Sequence, residues 1–473
     1  MQFAREVRRI LSLTLIAFTV IGITSAYWSI IGSNTITLRD DNPRIIEDTL
    51  RIRRGSIYDR EDRLLAQTVK DNNIVSRKYL HESTYSTLGY YSLRYGESGV
   101  ESAFDDDLNG AIEINTLEQY FTREILHVAP MGSDIQLTLD LDIQDTLVNA
   151  MAGYRGAGIV LNAHTGDILA MASLPTFNPN TLDDDWDTLT EADGNPFFNR
   201  ALQGQYQPGG VIYTLWMAKA ILSQYNLLQL TANATDTIAV DENTQVGCAI
   251  EPNQSNLSLS QAYYFGCPVP FAVYSRTTPD LAYTDIVKTF ALDQQITLDG
   301  FPIPEPITHT AAVDIDITVQ ALRDTLGQGD ITVTPLHIAG IVSAIANNGN
   351  APKPTIQLSI RPPETTDWLS TRPSFPSIPM MTTTTARQLR GIMQSNWQTI
   401  QPNTYTENVV VGANVTFSLA GDETQLWLIG FVRSEQGGRV AFVVLLEDTK
   451  DIQSIIPIGQ KLIQAVIAEN NIP

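Results

Sequence analysis

The sequence predicts a mixed α/β (α+β) domain built on one five-stranded antiparallel sheet flanked by helices, with strands drawn from both ends of the domain. Two β-rich runs, Gly156 to Leu161 and Asp167 to Ser173, are joined by Asn162-Ala163-His164-Thr165-Gly166 and read as a hairpin. Three more strand-like runs, Val409 to Ser418, Gln425 to Arg433 and Arg439 to Leu446, come near the end, with turns rich in Gly, Asp and Glu. Helical patterns fill the interval, so the late strands must return to the early hairpin to complete a single sheet. The central helical signal is Tyr206-Gln207-Pro208-Gly209-Gly210-Val211-Ile212-Tyr213 followed by the apolar run Thr214 to Leu222, a tight turn delivering a buried helix.

At 473 residues and 43% apolar composition the chain can fill the cores of two domains or more. Its 52 acidic and 30 basic residues leave a net charge of −22, which excludes nucleic acid and anionic lipid as partners of the body of the protein. Two cysteines, Cys248 and Cys267, are too few for a disulfide scaffold and wrongly spaced for a four-ligand zinc site. Outside the cytoplasm they can pair and close one modest loop; buried free thiols are the alternative.

Arg5, Arg8 and Arg9 precede an uncharged segment from Ile10 to Ile31, long enough to cross a bilayer as one helix. Positive charge stays inside, and Tyr27 and Trp28 sit where aromatic residues anchor the far interface, which predicts a cytoplasmic tail (1–9), a single-pass helix (10–31) and an extracytoplasmic body. A cleaved signal peptide ending at Thr24-Ser25-Ala26 is the rival, although its apolar region would be unusually long. After the helix, Arg53-Arg54-Gly55-Ser56-Ile57-Tyr58-Asp59-Arg60 reads as a basic strand and turn. Ile135 to Asp140 alternates as a half-buried strand, and Ile143 to Ala152 has helical spacing.

Asp183-Asp184-Asp185 lacks the glycine and distal glutamate of a calcium loop and reads as a solvated acidic loop. Residues 225–320 read as a largely helical subdomain with polar loops. Gly327-Gln328-Gly329, then Val333-Thr334-Pro335-Leu336 and an apolar run to Asn347-Asn348-Gly349, form a loop, a helix start and a capped helix end. A final amphipathic helix spans Asp451 to Glu469.

Several of these segments, in this order, resemble class B penicillin-binding proteins. The Arg54 to Arg60 stretch resembles that family's Arg-Gly-x-Ile-x-Asp-Arg segment, Tyr95 to Glu101 its Tyr-Gly-x-x-Gly-x-Glu segment, and the hairpin ending in Pro175-Thr176-Phe177-Asn178-Pro179-Asn180 its first transpeptidase hairpin. The Pro-Gly-Gly junction resembles the turn that leads into the family's Ser-x-x-Lys, and Gly327-Gln328-Gly329 with Thr334-Pro335-Leu336 its Gly-Gln-Gly and Thr-Pro-Leu segments. The resemblance implies the penicillin-binding transpeptidase and serine β-lactamase-like fold at residues 131–473, standing on an N-terminal pedestal domain at 32–130. It implies no cofactor and no metal.

The chemistry of that family needs a serine that attacks a carbonyl, a lysine that takes its proton, and backbone donors for the oxyanion. By the resemblance, Gly210 stands at the serine and Tyr213 at the lysine; Gly266 and Pro268 replace the serine and asparagine of Ser-x-Asn; Ala413, Asn414 and Val415 replace Lys-Thr-Gly. Ala413 removes the cation and Val415 puts a branched side chain where a glycine admits substrate, so the remnant binding groups are Thr416 and the backbone of Gly210 and Thr416. None of the lysines, Lys70, Lys78, Lys219, Lys288, Lys353, Lys450 and Lys461, follows Ser, Thr or Cys by three residues, so no Ser-x-x-Lys exists elsewhere. His164, at a hairpin tip, is read as a surface residue.

The resemblance therefore implies a membrane-anchored bacterial pseudo-transpeptidase of peptidoglycan synthesis, acting as scaffold or partner. Its expected partners are a polytopic glycosyltransferase or other cell-wall synthesis proteins, with contact to peptidoglycan or its precursors weakened or lost. Two alternatives stay open at this level: an active enzyme with Thr214 or Cys267 as nucleophile, and a sensor that binds wall fragments or β-lactams reversibly.

Overall fold

The computed structural model describes residues 2–27, 53–71, 74–110, 131–240, 244–277, 282–307, 317–363, 365–372, 377–402, 408–420 and 423–469. Helix α1 (Gln2–Tyr27) is apolar over Val7–Tyr27, 21 residues with mean hydropathy 1.9, none of it buried against the body. At 1.5 Å per residue that stretch matches the roughly 30 Å hydrocarbon layer. The hydroxyls of Thr14, Thr19 and Thr24 donate to the carbonyls of Ile10, Leu15 and Val20, so these donors are satisfied within the helix itself. Trp28 and the expected end of the span at Ile31 lie outside the described residues, as do 32–52 and 111–130 of the expected pedestal.

The first large sheet joins the N-terminal region to strands from residues 357–370. Its strands run in the order Leu369–Ser370, Gln357–Arg361, Asp134–Leu137, Ile57–Tyr58, Leu64–Asp71, Ile74–Tyr79. Only the pairing of Ile57–Tyr58 with Asp134–Leu137 is parallel. Behind this sheet the two motif segments of the N-terminal region meet. Glu101, fully buried, accepts from Arg54 Nε at 2.6 Å on one carboxylate oxygen and from Arg77 Nε at 2.6 Å on the other, both arginine side chains being 3% exposed. Arg54 also donates to Asp105, Asn109 and the Glu101 carbonyl, and lies 4.1 Å over the Tyr91 ring.

Glu97 stands at the edge of this cluster, 3.7 Å from Arg54. Burial, and after it the neighbouring Asp105, pushes its carboxyl up to about 7. A carboxyl whose folded pKa lies above its unfolded value of 4.5 contributes stability that is complete below pH 4.5 and is lost as pH rises through 7. Glu97→Gln is expected to flatten the melting temperature between pH 5 and 8 relative to the unmodified protein, checked by scanning calorimetry across that range; equal slopes would contradict the assignment.

The second large sheet comprises β1 (Gly156–Asn162), β2 (Ile168–Leu174), β3 (Val409–Ala420), β4 (Glu423–Ser434) and β5 (Arg439–Glu447). Its spatial order is β3-β4-β5-β1-β2, antiparallel throughout, so the late strands join the early hairpin along β5 and β1. Side chains alternate between two cores. Trp427, Ile429, Phe431, Ala441, Val443 and Leu445 face α3 (Ile212–Leu222) and α6 (Pro335–Ala346), whereas Leu426, Leu428, Phe442 and Val444 face α2 (Leu141–Ala150) and α8 (Ile452–Ala468). Three of these helices, α2, α6 and α8, are started by side-chain caps: Asp140 accepts from Asp142 N and Ile143 N, Thr334 from His337 N just before Pro335 at N1, and Asp451 from Gln453 N.

Two expectations change in detail. Asp183, Asp184 and Asp185 are the exposed first turn of the helix Leu182–Thr190 rather than a loop, a placement the helix dipole favours. The region 225–320 contains, besides its helices, two-residue strand pairs, Leu230–Thr231 with Leu257–Ser258 and Ile238–Ala239 with Gln245–Val246. Pairs that short carry no periodicity for a sequence to show.

Candidate functional site

The junction begins with a reversal. Tyr206 pairs its backbone with Val333, and Gly209, at φ 51°, donates its N–H to Gly327 O at 2.9 Å. A Cβ at Gly209 would meet Phe417 O and the Ser418 side chain at 2.4 Å, so only glycine lets the turn lie this close to β3. The Gly327-Gln328-Gly329 loop holds the turn from the other side: Gln207 Nε2 donates to Gly329 O at 2.9 Å, and Gln328 Oε1 accepts from Leu419 N at 3.2 Å. A short 3-10 turn, Gly209–Val211, runs directly into α3.

Gly210 faces a side chain, not a cleft. A Cβ built on it would lie 1.8 Å from Thr416 Oγ1 and 3.3 Å from the Tyr213 ring. Thr416 is 1% exposed and Tyr213 is likewise buried, its ring stacked on Phe271 at 4.3 Å between centroids and 9° between planes. Burial alone pushes the Tyr213 phenol well above its ordinary range, so it is a neutral filler and no proton acceptor near neutral pH.

Strand register assigns the remaining positions of β3. Thr416 lies opposite Trp427 and Asn414 opposite Ile429, which puts both on the face that looks at α3. Ala413 lies opposite Gly430 and Val415 opposite Leu428, and both pack in the core shared with Trp397 and Ile456 on the reverse side. The expectation that Ala413 and Val415 shape the cleft is corrected accordingly. A period of two places Asn414 and Thr416 there instead, and Thr416 fills the space in front of Gly210. Asn414 Oδ1 accepts from Asn396 Nδ2 at 3.3 Å, on α7 (Thr383–Ile400).

The second motif segment supports α3 without opening onto Gly210. Gly266 ends α4 (Leu259–Phe265) in the left-handed conformation at φ 64°, and a Cβ there would meet the Ala249 side chain at 2.8 Å. Pro268 is the first residue of α5 (Pro268–Arg276), which supplies Phe271 to the stack on Tyr213. Between them Cys267 is bonded to Cys248, 19 residues away in sequence. A loop of that length stabilises by about 3 kcal/mol on the chain-entropy account. Thr214, the other residue considered as a nucleophile, is 1% exposed and shares a 3.0 Å hydrogen bond with the Tyr263 hydroxyl. His164 is exposed at the hairpin tip, where Asn162 Oδ1 accepts from the N–H of His164 and of Thr165.

One constellation was not visible in the sequence. Glu447, at the end of β5, accepts from the Tyr206 hydroxyl at 2.7 Å and from Arg200 Nε at 3.0 Å, and pairs on its other oxygen with Arg155. Arg200 and Tyr206 flank the approach to the junction and are separated from Glu447 by more than 240 residues of chain. The acceptor row is set by register, since Ser418, Gln425 and Glu447 are consecutive cross-strand partners and Ser418 Oγ donates to Gln425 Oε1 at 2.8 Å. This row ties the junction to the sheet beside the Gly210 position.

A five-stranded antiparallel sheet whose edge strand faces a Pro-Gly turn at the start of a buried helix defines a protein of the penicillin-recognising transpeptidase class. Comparison with known proteins agrees: the description of a penicillin binding protein transpeptidase domain matches residues 156–466, and that of a penicillin binding protein A dimerisation domain matches residues 54–133. The chain belongs to the penicillin-binding-protein transpeptidase family. It is similar to the peptidoglycan D,D-transpeptidase PbpA of Mycolicibacterium smegmatis, 27% identical over 466 residues that cover 91% of this chain and 92% of that protein. It is 26% identical to PbpA of Mycobacterium tuberculosis, over 98% and 99% of the two chains. Among solved structures, the imipenem acyl-enzyme complex of penicillin-binding protein A from M. tuberculosis superposes with a TM-score of 0.77 at 24% identity, over 89% of this chain and 99% of that one. The D,D-transpeptidase domain from Eggerthella lenta gives 0.74 at 22% identity, over 89% of this chain and 100% of that one, which shows a shared fold.

Proposed function

We propose that this protein acts in bacterial peptidoglycan synthesis as a non-catalytic member of the penicillin-binding-protein family, a pseudo-transpeptidase that serves as scaffold or partner. The observation that carries the reading is the 1.8 Å approach of Thr416 Oγ1 to the point where a nucleophile's Cβ would stand. A serine hydrolase without its nucleophile loses on the order of 10⁶ in rate, and here the volume of the missing side chain is also taken up.

Neither substitute nucleophile supports an active enzyme. Sulfur committed to the Cys248–Cys267 bond has no thiolate to attack with, and the Thr214 hydroxyl is turned to Tyr263 inside the core. A reversible wall-fragment sensor gains no support from a junction whose remnant donors, Gly210 and Thr416, are themselves buried.

The N-terminal helix supports a single-pass membrane protein with Arg5, Arg8 and Arg9 on the cytoplasmic side. A disulfide in the body favours the extracytoplasmic side for it. The match to a dimerisation domain supports a role for the pedestal in holding a second envelope protein, with a cell-wall glycosyltransferase as the expected class.

Fluorescent penicillin incubated with the full-length protein is expected to leave no covalent label after gel electrophoresis, under conditions that label an active penicillin-binding protein stoichiometrically. A stable adduct mapped by mass spectrometry to any residue beside Gly210 would overturn the reading.

A further inference from the structure

On the sheet face that carries Thr416, but at the opposite end of the strands, four arginines converge. Arg433 ends β4 and Arg439 opens β5, and the two are direct cross-strand partners. Arg390, on α7, donates at 3.2 Å to Asn348 Oδ1, the same atom that accepts from Arg433 at 3.3 Å, so these two guanidinium groups touch one oxygen. Arg439 donates to Asn347 Oδ1 next to it. Arg387 lies one turn before Arg390 on α7 and is exposed.

Among the described residues no carboxylate pairs with any of the four, in a chain that carries 52 acidic residues. Glu435, exposed in the turn between β4 and β5, forms no ion pair with them. Like charges directly across a sheet, and three residues apart on a helix, repel each other. Burial first, then Arg433, Arg387 and Arg439, lower the Arg390 guanidinium to about 10, and burial and Arg439 lower that of Arg433.

Part of the donor capacity is used locally, since Arg390 Nη1 donates at 2.6 Å to the Ile345 carbonyl at the end of α6. These contacts take up both asparagine oxygens with one donor each from Arg390, Arg433 and Arg439, and leave other guanidinium donors of the cluster over. Among the described residues, the buried Arg439 Nε has no hydrogen-bond partner, and no hydrogen bond or ion pair engages Arg387. Guanidinium groups present planar forks of donors that match phosphate and carboxylate oxygens two at a time.

We propose that Arg387, Arg390, Arg433 and Arg439 form a binding site for a multivalent oxyanion, a molecule bearing two or more phosphate or carboxylate groups. The site is independent of the acylation question, because Val410, the partner of Arg433 on β3, lies six residues from Thr416, about 20 Å along the strand.

The test is calorimetric titration of the full-length protein in zwitterionic nanodiscs with pyrophosphate and, in a parallel arm, tricarballylate. Saturable binding of pyrophosphate, of tricarballylate or of both is expected, the arm that binds assigning phosphate or carboxylate chemistry. It should weaken with added salt, as a charge-driven contact must. Arg433→Gln with Arg439→Gln should weaken it at least about tenfold, and Arg387→Gln, an exposed position whose loss does not threaten folding, about threefold or more. Absence of binding in both arms at millimolar concentrations overturns the proposal. So does binding that Arg387→Gln and the double variant, each shown folded by an unchanged melting transition, leave intact.

Discussion

Gly210→Ser combined with Tyr213→Lys, which rewrites the family's first motif into the chain, is expected to yield a protein that still takes no penicillin and that is less stable by about 3–5 kcal/mol. The loss follows from where each new group would go. Tyr213 is wholly buried against Phe271, and a lysine there would give up the stack and place an ammonium in an apolar enclosure without a partner. The serine's Cβ would collide with Thr416 Oγ1, an overpacking cost of about 1–3 kcal/mol on its own. Urea denaturation of the two single variants and the double variant measures these terms. Adding Thr416→Gly should recover most of the serine's share and none of the lysine's. Robust acylation of the double variant, or a double variant as stable as the parent, would show that the junction is plastic and that Thr416 and Phe271 do not block it.

Glu101→Gln should destabilise the body by about 3–5 kcal/mol, the cost of removing one member of a buried charge cluster while its partners stay behind. Among the described residues, Glu101 is the one acceptor common to Arg54 and Arg77. Without its charge, Arg54 keeps Asp105 and Asn109, but Arg77 keeps just the Gly55 carbonyl and the Thr68 hydroxyl. A shift in the urea midpoint at unchanged slope checks it, and a shift equivalent to less than about 1 kcal/mol would mean that water enters and solvates the arginines. The comparison of interest is Glu447→Gln, which strands Arg200 in the same way beside the junction while Arg155, 42% exposed, can turn to solvent.

The two motif segments of the N-terminal region illustrate what a sequence can show and what it withholds. Arg54 and Glu101 were each noticeable by their place in a familiar wording, yet nothing in either segment says that they meet. The same holds for Tyr206 and Glu447. Contacts between residues far apart in sequence are set by which strands pair, and strand pairing is a property of the whole sheet.

The helix junction was legible because its signals are local. Pro208-Gly209-Gly210 can only be a turn, the apolar run after it can only be buried, and Gly210 and Tyr213 are a glycine and a tyrosine whatever the fold does. The hairpin, the three closing strands and the capped helices were legible for the same reason, since period and caps act within a few residues. The short strand pairs near residues 230–258 were not, because two residues per strand leave no period to read.

Which side chains of β3 stand beside the junction was decided by tertiary structure alone. Sequence wording put Ala413 and Val415 against the cleft; pairing with β4 turns them to the far core and brings Asn414 and Thr416 round instead. A strand shows alternate residues to opposite faces, so a one-residue ambiguity in wording becomes a complete exchange of faces, and only hydrogen bonding to a neighbouring strand removes it. By itself, the sequence determined that the junction carries Gly210 and Tyr213, with no aliphatic hydroxyl and no amine at either position. The packed structure decided that the Thr416 hydroxyl occupies the space in front of Gly210, because filling a void beside a glycine depends on what the neighbouring strand brings to it.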